Sequence, residues 1–122
     1  MAEKILVVDD EYFSRGNLCY YLSSEGYEIR EAANGEEAQE VLAGETFDLV
    51  ITDFVMPQVD GFRLLEILNK KWPQLPVILI TGHLSVKAGE FILGGKAAAV
   101  FHKPINLKDV VIAVKQILEP ST

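Results

Sequence analysis

A three-layer α/β sandwich, one parallel sheet with helices on both faces, is the architecture this sequence predicts. Three observations lead to it. Short apolar runs alternate with helix-patterned stretches five times along the chain. The runs Leu49-Val-Ile and Val77-Ile-Leu-Ile lack polar alternation, as strands buried on both faces require. The chain has 122 residues, enough for five strand–helix units but only about half of what an eight-fold barrel needs. Right-handed crossovers between such units put helices on both faces of the sheet. Residues 1–122 read as a single domain with no internal repeat or linker.

The first strand spans Lys4 to Asp9, and a helix follows from about Tyr12 to Glu25, where Gly26 breaks it. Tyr27 to Glu31 is a second, weaker strand. Asn34-Gly-Glu-Glu reads as a helix start, because acidic residues in a first turn complement the helix dipole. Ala38, Val41 and Leu42 supply that helix's apolar stripe, and Gly44 ends it. The third strand is Asp48 to Asp53. Pro57 stiffens the next loop, and Asp60 can cap a helix beginning near Gly61. Phe62, Leu65, Leu68 and Trp72 recur at helical spacing and should face the core. Pro73 and Pro76 bracket the turn into the fourth strand, Val77 to Thr81.

A fourth helix, capped by Ser85, is the weakest expectation. Gly89 sits inside it and Gly94-Gly95 end it, and each interior glycine costs about 1 kcal/mol against alanine. The fifth strand runs from about Ala98 to His102. Asn106 caps the last helix, whose stripe is Leu107, Val110, Val111, Val114, Ile117 and Leu118, and Pro120 stops it.

Eleven basic residues stand against eighteen acidic ones, a net charge of −7. Such a domain is a poor electrostatic match for nucleic acid, so no direct binding of it is expected. The single cysteine, Cys19, excludes an internal disulfide and reads as a small buried hydrophobe. No apolar run approaches the ~20 residues that span a bilayer. Met1-Ala-Glu-Lys lacks the apolar core of a signal peptide. A cytoplasmic protein with no membrane partner is the expectation.

Polar residues stand where the apolar runs end: Asp9, Asp10, Asp53, Thr81 and Lys103. The carboxyl ends of parallel strands share one edge, where ligands bind, so these five should converge. Two carboxylates ~4 Å apart repel by about 4 kcal/mol at an effective dielectric of ~20, and each raises the other's pKa. Mg2+ suits such a site, since it takes oxygen ligands and binds through one or two carboxylates plus phosphate. Two plainer readings stand beside this one. Asp9-Asp10 could cap the first helix, and Lys103 could be a structural ion-pair partner for a buried Asp53. In the functional reading Asp53 attacks phosphorus to form an acyl phosphate, Lys103 neutralises a phosphoryl oxygen, and Thr81 donates a hydrogen bond to another.

Val7-Val-Asp-Asp, Asp53-Phe-Val-Met-Pro with Asp60-Gly61, Thr81-Gly82 and Lys103-Pro104 follow one another in order. In this the chain resembles, end to end, the receiver domain of two-component response regulators. The resemblance implies a flavodoxin-like sandwich with strand order 2-1-3-4-5 and five helices. It implies that Asp53 accepts a phosphoryl group from a sensor histidine kinase or phosphotransfer protein. Asp10, Asp53 and the backbone carbonyl of Val55 would hold Mg2+, with Asp9 acting through water. The peptide before Pro104 would be cis. The modified domain would switch conformation through its fourth helix, fifth strand and last helix, controlling an attached output domain or a partner, or forming a dimer. Its only catalysis would be of its own phosphorylation and dephosphorylation.

The chain departs from the family at Val100, where most receivers carry a Tyr or Phe that moves inward on switching. Phe101 comes one place later and should face the opposite side as a core residue. Val55 and His83 occupy positions that border the phosphoryl group in the family, and Val55 offers nothing to orient an attacking water. The phosphoaspartate should therefore not be among the fastest to hydrolyse. His83 and His102 are two isolated histidines, not a zinc site. An aspartate-nucleophile phosphohydrolase would carry a second Asp at Val55 and a cap domain. A flavodoxin-type cofactor binder would not place the anionic Asp9-Asp-Glu where phosphate must bind. A receiver kept only for protein interaction would have no need of all five site residues.

Overall fold

The computed structural model describes residues 2–53, 61–82 and 97–119, with the backbone alone of residues 61 and 62. Its elements are β1 (Lys4–Val8), α1 (Tyr12–Ser24), β2 (Glu28–Ala32), α2 (Gly35–Gly44), β3 (Leu49–Asp53), α3 (Gly61–Lys71), β4 (Val77–Thr81), β5 (Ala99–His102) and α4 (Leu107–Leu118). The five strands form one sheet in the order β2-β1-β3-β4-β5, and every pairing is parallel. This is the expected fold and strand order, with four helices among the described residues. The glycine-rich helix expected after Ser85 lies outside them, as do Val55, Pro57, Asp60, His83 and Pro120.

Successive strand residues point to opposite faces, and β1 shows how this divides the core. Leu6 and Val8 join Val50, Leu79, Ala38, Leu42, Leu64, Leu65 and Leu68 on the α2/α3 face. Ile5 and Val7 join Leu49, Ile51, Ile78, Leu18, Leu22, Val110 and Val114 on the α1/α4 face. Each fully buried Leu or Ile contributes about 1.5–3 kcal/mol relative to an exposed one. β3 and β4 are buried at every position, as their unbroken apolar runs require. β2 is the weak strand because it is an edge, with only Ala32 fully buried.

The helix ends follow local chemistry. Asn34 Oδ1 accepts the Glu37 N–H at 2.9 Å, and Asn106 Oδ1 accepts that of Lys108 at 2.9 Å. For α1 the cap is Glu11, whose carboxylate accepts from Phe13 N at 3.3 Å and Ser14 N at 2.6 Å. Neither member of the Asp9-Asp10 pair caps the helix. Just past the end of α1 stands Gly26, whose φ of 98° lies in the left-handed region that penalises a side chain. Beyond it, Tyr27 Oη donates to Glu119 at 2.6 Å and Lys115 meets Glu25 at 2.7 Å, joining this turn to the end of α4. No helix among the described residues is long and apolar enough to cross a membrane.

Two glycines in this region should respond oppositely to alanine. A Cβ on Gly16, inside α1, or on Gly26 meets nothing within 4 Å, so backbone conformation alone decides the sign. Gly26→Ala is expected to destabilise by about 1 kcal/mol, through its positive φ. Gly16→Ala is expected to stabilise by about 0.8 kcal/mol, through helix propensity. Urea unfolding of both variants checks this, and shifts of the same sign would contradict it.

Candidate phosphoacceptor and cation site

Parallel pairing of β1 with β3 brings together acids that are distant in the chain. Val8 lies opposite Thr52, so Asp9 and Asp10 leave β1 beside Asp53 at the end of β3. One carboxylate oxygen from each of Asp9, Asp10 and Asp53 falls within 4.8 Å of the others. Burial is graded across the three: Asp53 is 5% exposed, Asp9 is half-buried and Asp10 is exposed. At this spacing each ionised pair repels by roughly 3 kcal/mol.

Lys103 reaches the cluster from the far side of β4. Its Nζ donates to Asp53 Oδ2 at 2.8 Å, while its main-chain N–H donates to the Thr81 carbonyl at 2.8 Å and so extends the β4–β5 ladder. The peptide between Lys103 and Pro104 is cis, as expected. Burial works against the ammonium, but the hydrogen bond and charge of Asp53, with Asp9 and Asp10 behind it, hold its pKa above the ordinary lysine value. Thr81 closes β4 one residue past Ile80, the register partner of Asp53, and is fully buried.

At Asp9 burial and repulsion act together, burial being the larger. Its pKa is pushed up from 3.8 to about 6, first by burial and then by the charges of Asp53 and Asp10. The Glu11 N–H, donating to Asp9 Oδ1 at 2.9 Å, and Lys103 act in the opposite direction. One ammonium against three carboxylates leaves the rim anionic, and every donor is a hard oxygen. Both features suit a small divalent cation.

All five residues singled out in the sequence stand at the carboxyl edge, with Asp9, Asp10, Asp53 and Lys103 in one cluster. Val55, whose carbonyl the resemblance assigns to the metal, and His83 lie outside the described residues. His102 ends β5 on the exposed surface. Val100 packs with the α2/α3 face and Phe101, partly buried, with the α1/α4 face, so the two do point oppositely. A cleft of about 230 Å³ opens beside the acids, lined in part by Asp9, Ser14, Leu18, Lys103 and Pro104. A larger hollow of about 450 Å³, walled by Phe47, Trp72 and Pro76, lies at the opposite, amino-terminal edge of the sheet.

Arg15 is the residue that sequence reasoning missed. Its Nη1 donates to the Asp9 carbonyl at 2.6 Å and its Nε to Glu31 at 2.9 Å. The available signal was its isolation, since it is the only charged residue from Tyr12 to Ser24.

A doubly wound parallel sheet in this order, with its polar groups gathered at the carboxyl edge, defines a flavodoxin-like α/β domain. The chain belongs to the response regulator receiver domain family, whose profile matches residues 5–115. The CheY-like receiver domain protein of Methanospirillum hungatei superposes with a TM-score of 0.90 at 32% identity, covering 98% of this chain and 95% of its own. The response regulator TrrA of Thermotoga maritima, solved in complex with Mg(2+)-BeF, superposes with a TM-score of 0.85 at 34% identity, covering 95% and 99%. The receiver protein CpdR of Brucella abortus is 33% identical over 116 residues, 95% of this chain and 97% of CpdR. Other curated relatives are longer: the chain spans 25% of the NtrX-like regulator of Rickettsia felis and 12% of the sensor kinase CckA of Brucella abortus. Phosphorylation-dependent switching is the general function of the receiver family.

The raised Asp9 pKa makes a signed prediction for the metal-free protein. The fold favours the protonated acid, so its stabilising contribution is present below pH 3.8 and is lost as pH rises through about 6. The full difference is worth roughly 3 kcal/mol, cut to about 1 kcal/mol by solvent access to a half-exposed group. Asp9→Asn should therefore stabilise the metal-free protein by about 1 kcal/mol at pH 7.5 and hardly at all at pH 4. Unfolding curves at the two pH values check this, and an Asn variant less stable at pH 7.5 would contradict it.

Proposed function

We propose that this domain, residues 1–122, is a Mg2+-dependent phosphoacceptor of a two-component pathway, with Asp53 as the acceptor. The observation that carries the proposal is the cluster itself: three carboxylate oxygens within 4.8 Å, one of the acids held by Lys103 at 2.8 Å. A carboxylate oxygen of Asp53 attacks phosphorus in a phosphohistidine of a sensor kinase or phosphotransfer protein. The P–N bond breaks, its electron pair leaves with the imidazole nitrogen, and that nitrogen takes a proton from solvent. Asp10, Asp53 and the Val55 carbonyl are proposed to hold Mg2+, with Asp9 contributing through water. When bound, the ion offsets carboxylate repulsion and draws charge from the phosphoryl oxygens. A relative solved with Mg(2+)-BeF supports this choice of metal.

Once Asp53 is modified, Lys103 is proposed to pass from the free carboxylate to a phosphoryl oxygen, and Thr81 to donate its hydroxyl to another. The added charge supplies the driving force. The Lys103–Thr81 main-chain hydrogen bond links the ends of β4 and β5, so movement of either is passed to the other. With Val100 in place of the usual aromatic, the readout is assigned to this strand-end pair and the segment after β4, not to an inward-turning ring. Output through an attached domain, a separate partner or a phosphorylation-dependent dimer fits a fold shared with longer regulators. A segment similar to this chain within a sensor kinase fits a histidine-kinase pathway. The free cysteine and the net charge of −7 support a cytoplasmic site of action and no direct nucleic-acid contact as part of this reading.

Incubation with acetyl phosphate and Mg2+, followed by intact mass measurement, tests the proposal. The wild type should gain one phosphoryl group and Asp53→Asn none, and chelation of the metal should slow the gain at least about tenfold. An Asp53→Asn variant that gains the group as fast as wild type would refute the assignment. The phosphorylated wild type, freed of donor, should outlast a half-life of a few seconds.

A further inference from the structure

Asp9 is held at every hydrogen-bonding group of its backbone. Its N–H donates to the Ala32 carbonyl at 3.1 Å, and its carbonyl oxygen accepts from Arg15 Nη1 at 2.6 Å. That oxygen belongs to the planar peptide joining Asp9 to Asp10, so whatever fixes it fixes the direction from which both side chains depart. The contact comes from a largely shielded, half-buried arginine. The Arg15 side chain is only 13% exposed, its Nε donates to Glu31 Oε1 at 2.9 Å, and its guanidinium lies 5.7 Å from the Tyr12 ring centre. Glu31 is the register partner of Val7, so the arrangement straps α1 to edge strand β2 across the turn carrying the acids.

An arginine withdrawn this far from water is ordinarily held by partners for its donors. Here two of its nitrogens meet two different elements, and a planar fork keeps them at a fixed angle as lysine could not. Repulsion among Asp9, Asp10 and Asp53 drives the turn to open, and the strap opposes that opening. We infer that Arg15 is a positioning residue for the cation site, locking the Asp9–Asp10 peptide so that both carboxylates face Asp53 in advance of the metal. Glu31 in turn holds Arg15. The inference rests on the cation site proposed above, and it assigns Arg15 no contact with metal or phosphoryl group.

Calorimetric titration with Mg2+ alone, on the whole chain, provides the test. Arg15→Ala should weaken Mg2+ binding about tenfold, the usual effect of removing a group that orients metal ligands. Arg15→Lys, which can reach one acceptor but not both, should fall between that variant and wild type. Glu31→Gln keeps an acceptor oxygen and should stay within about twofold of wild type. In acetyl phosphate assays, the Mg2+ concentration for half-maximal rate should rise about tenfold for Arg15→Ala, while the rate at saturating Mg2+ stays within about twofold. Should Arg15→Ala fail to fold, Arg15→Lys and Glu31→Ala carry the same comparison. Mg2+ affinity unchanged in these variants, with only a lower Tm, would overturn the inference and leave the phosphoacceptor reading standing. Absence of Mg2+ binding by the wild type would overturn both.

Discussion

Like-charge repulsion, held in place by a parallel sheet, is the constraint on which the carboxyl edge depends. β1 and β3 pair in a register that leaves Asp9, Asp10 and Asp53 no room to separate. Such a cluster is unfavourable unless something compensates it. The domain compensates in three ways: Lys103 neutralises the most buried acid, Asp9 resists ionisation, and Asp10 remains in solvent. None removes the whole charge, and the negative charge left over is what the proposed cation site would use. Function here is the part of the electrostatic problem that the fold leaves unsolved.

The apolar layers make that unsolved charge tolerable. β3 is buried at every position, and its last residue is the acid with least access to water. Leu49 to Ile51 pack on both sides of the sheet and give the chain no freedom to withdraw Asp53. Lys103 has a comparable anchor in the cross-ladder hydrogen bond to Thr81. A phosphoryl group arriving on Asp53 would therefore meet a backbone that is rigid at β3 and joined across β4 and β5. On the proposed reading, motion would be directed toward the ends of those two strands.

Much of this was legible in the sequence because burial and chemistry leave separate marks. Val77 to Thr81 was readable residue for residue, since a strand buried on both faces has no polar member until it ends. Asn34 and Asn106 were readable as caps because few residues can satisfy a first-turn N–H. Edges were harder. The second strand begins at Glu28, because Tyr27 N still bonds to Leu22 O within the turn that closes α1. The expected stripe of α3 omitted Leu64, which is fully buried because a helix lying on a sheet covers more than one narrow seam. A cap role for Asp9-Asp10 stood only as the plainer alternative, and Glu11 performs it, leaving both aspartates to the rim. Arg15 was easily passed over because a charge in a helix ordinarily faces solvent; its isolation among uncharged neighbours was a faint mark, and its tertiary partners give the role.

The account rests on one claim, that the three acids form a single cation site before any phosphoryl group arrives. Mg2+ titration of the 15N-labelled protein, followed residue by residue by NMR, addresses it most directly. The account predicts saturable shifts that begin at the amides of Asp9, Asp10, Glu11 and Asp53 and are lost in Asp53→Asn. Shifts centred instead on the acidic start of α2, at Glu36 and Glu37, or no saturable shift at all, would contradict it.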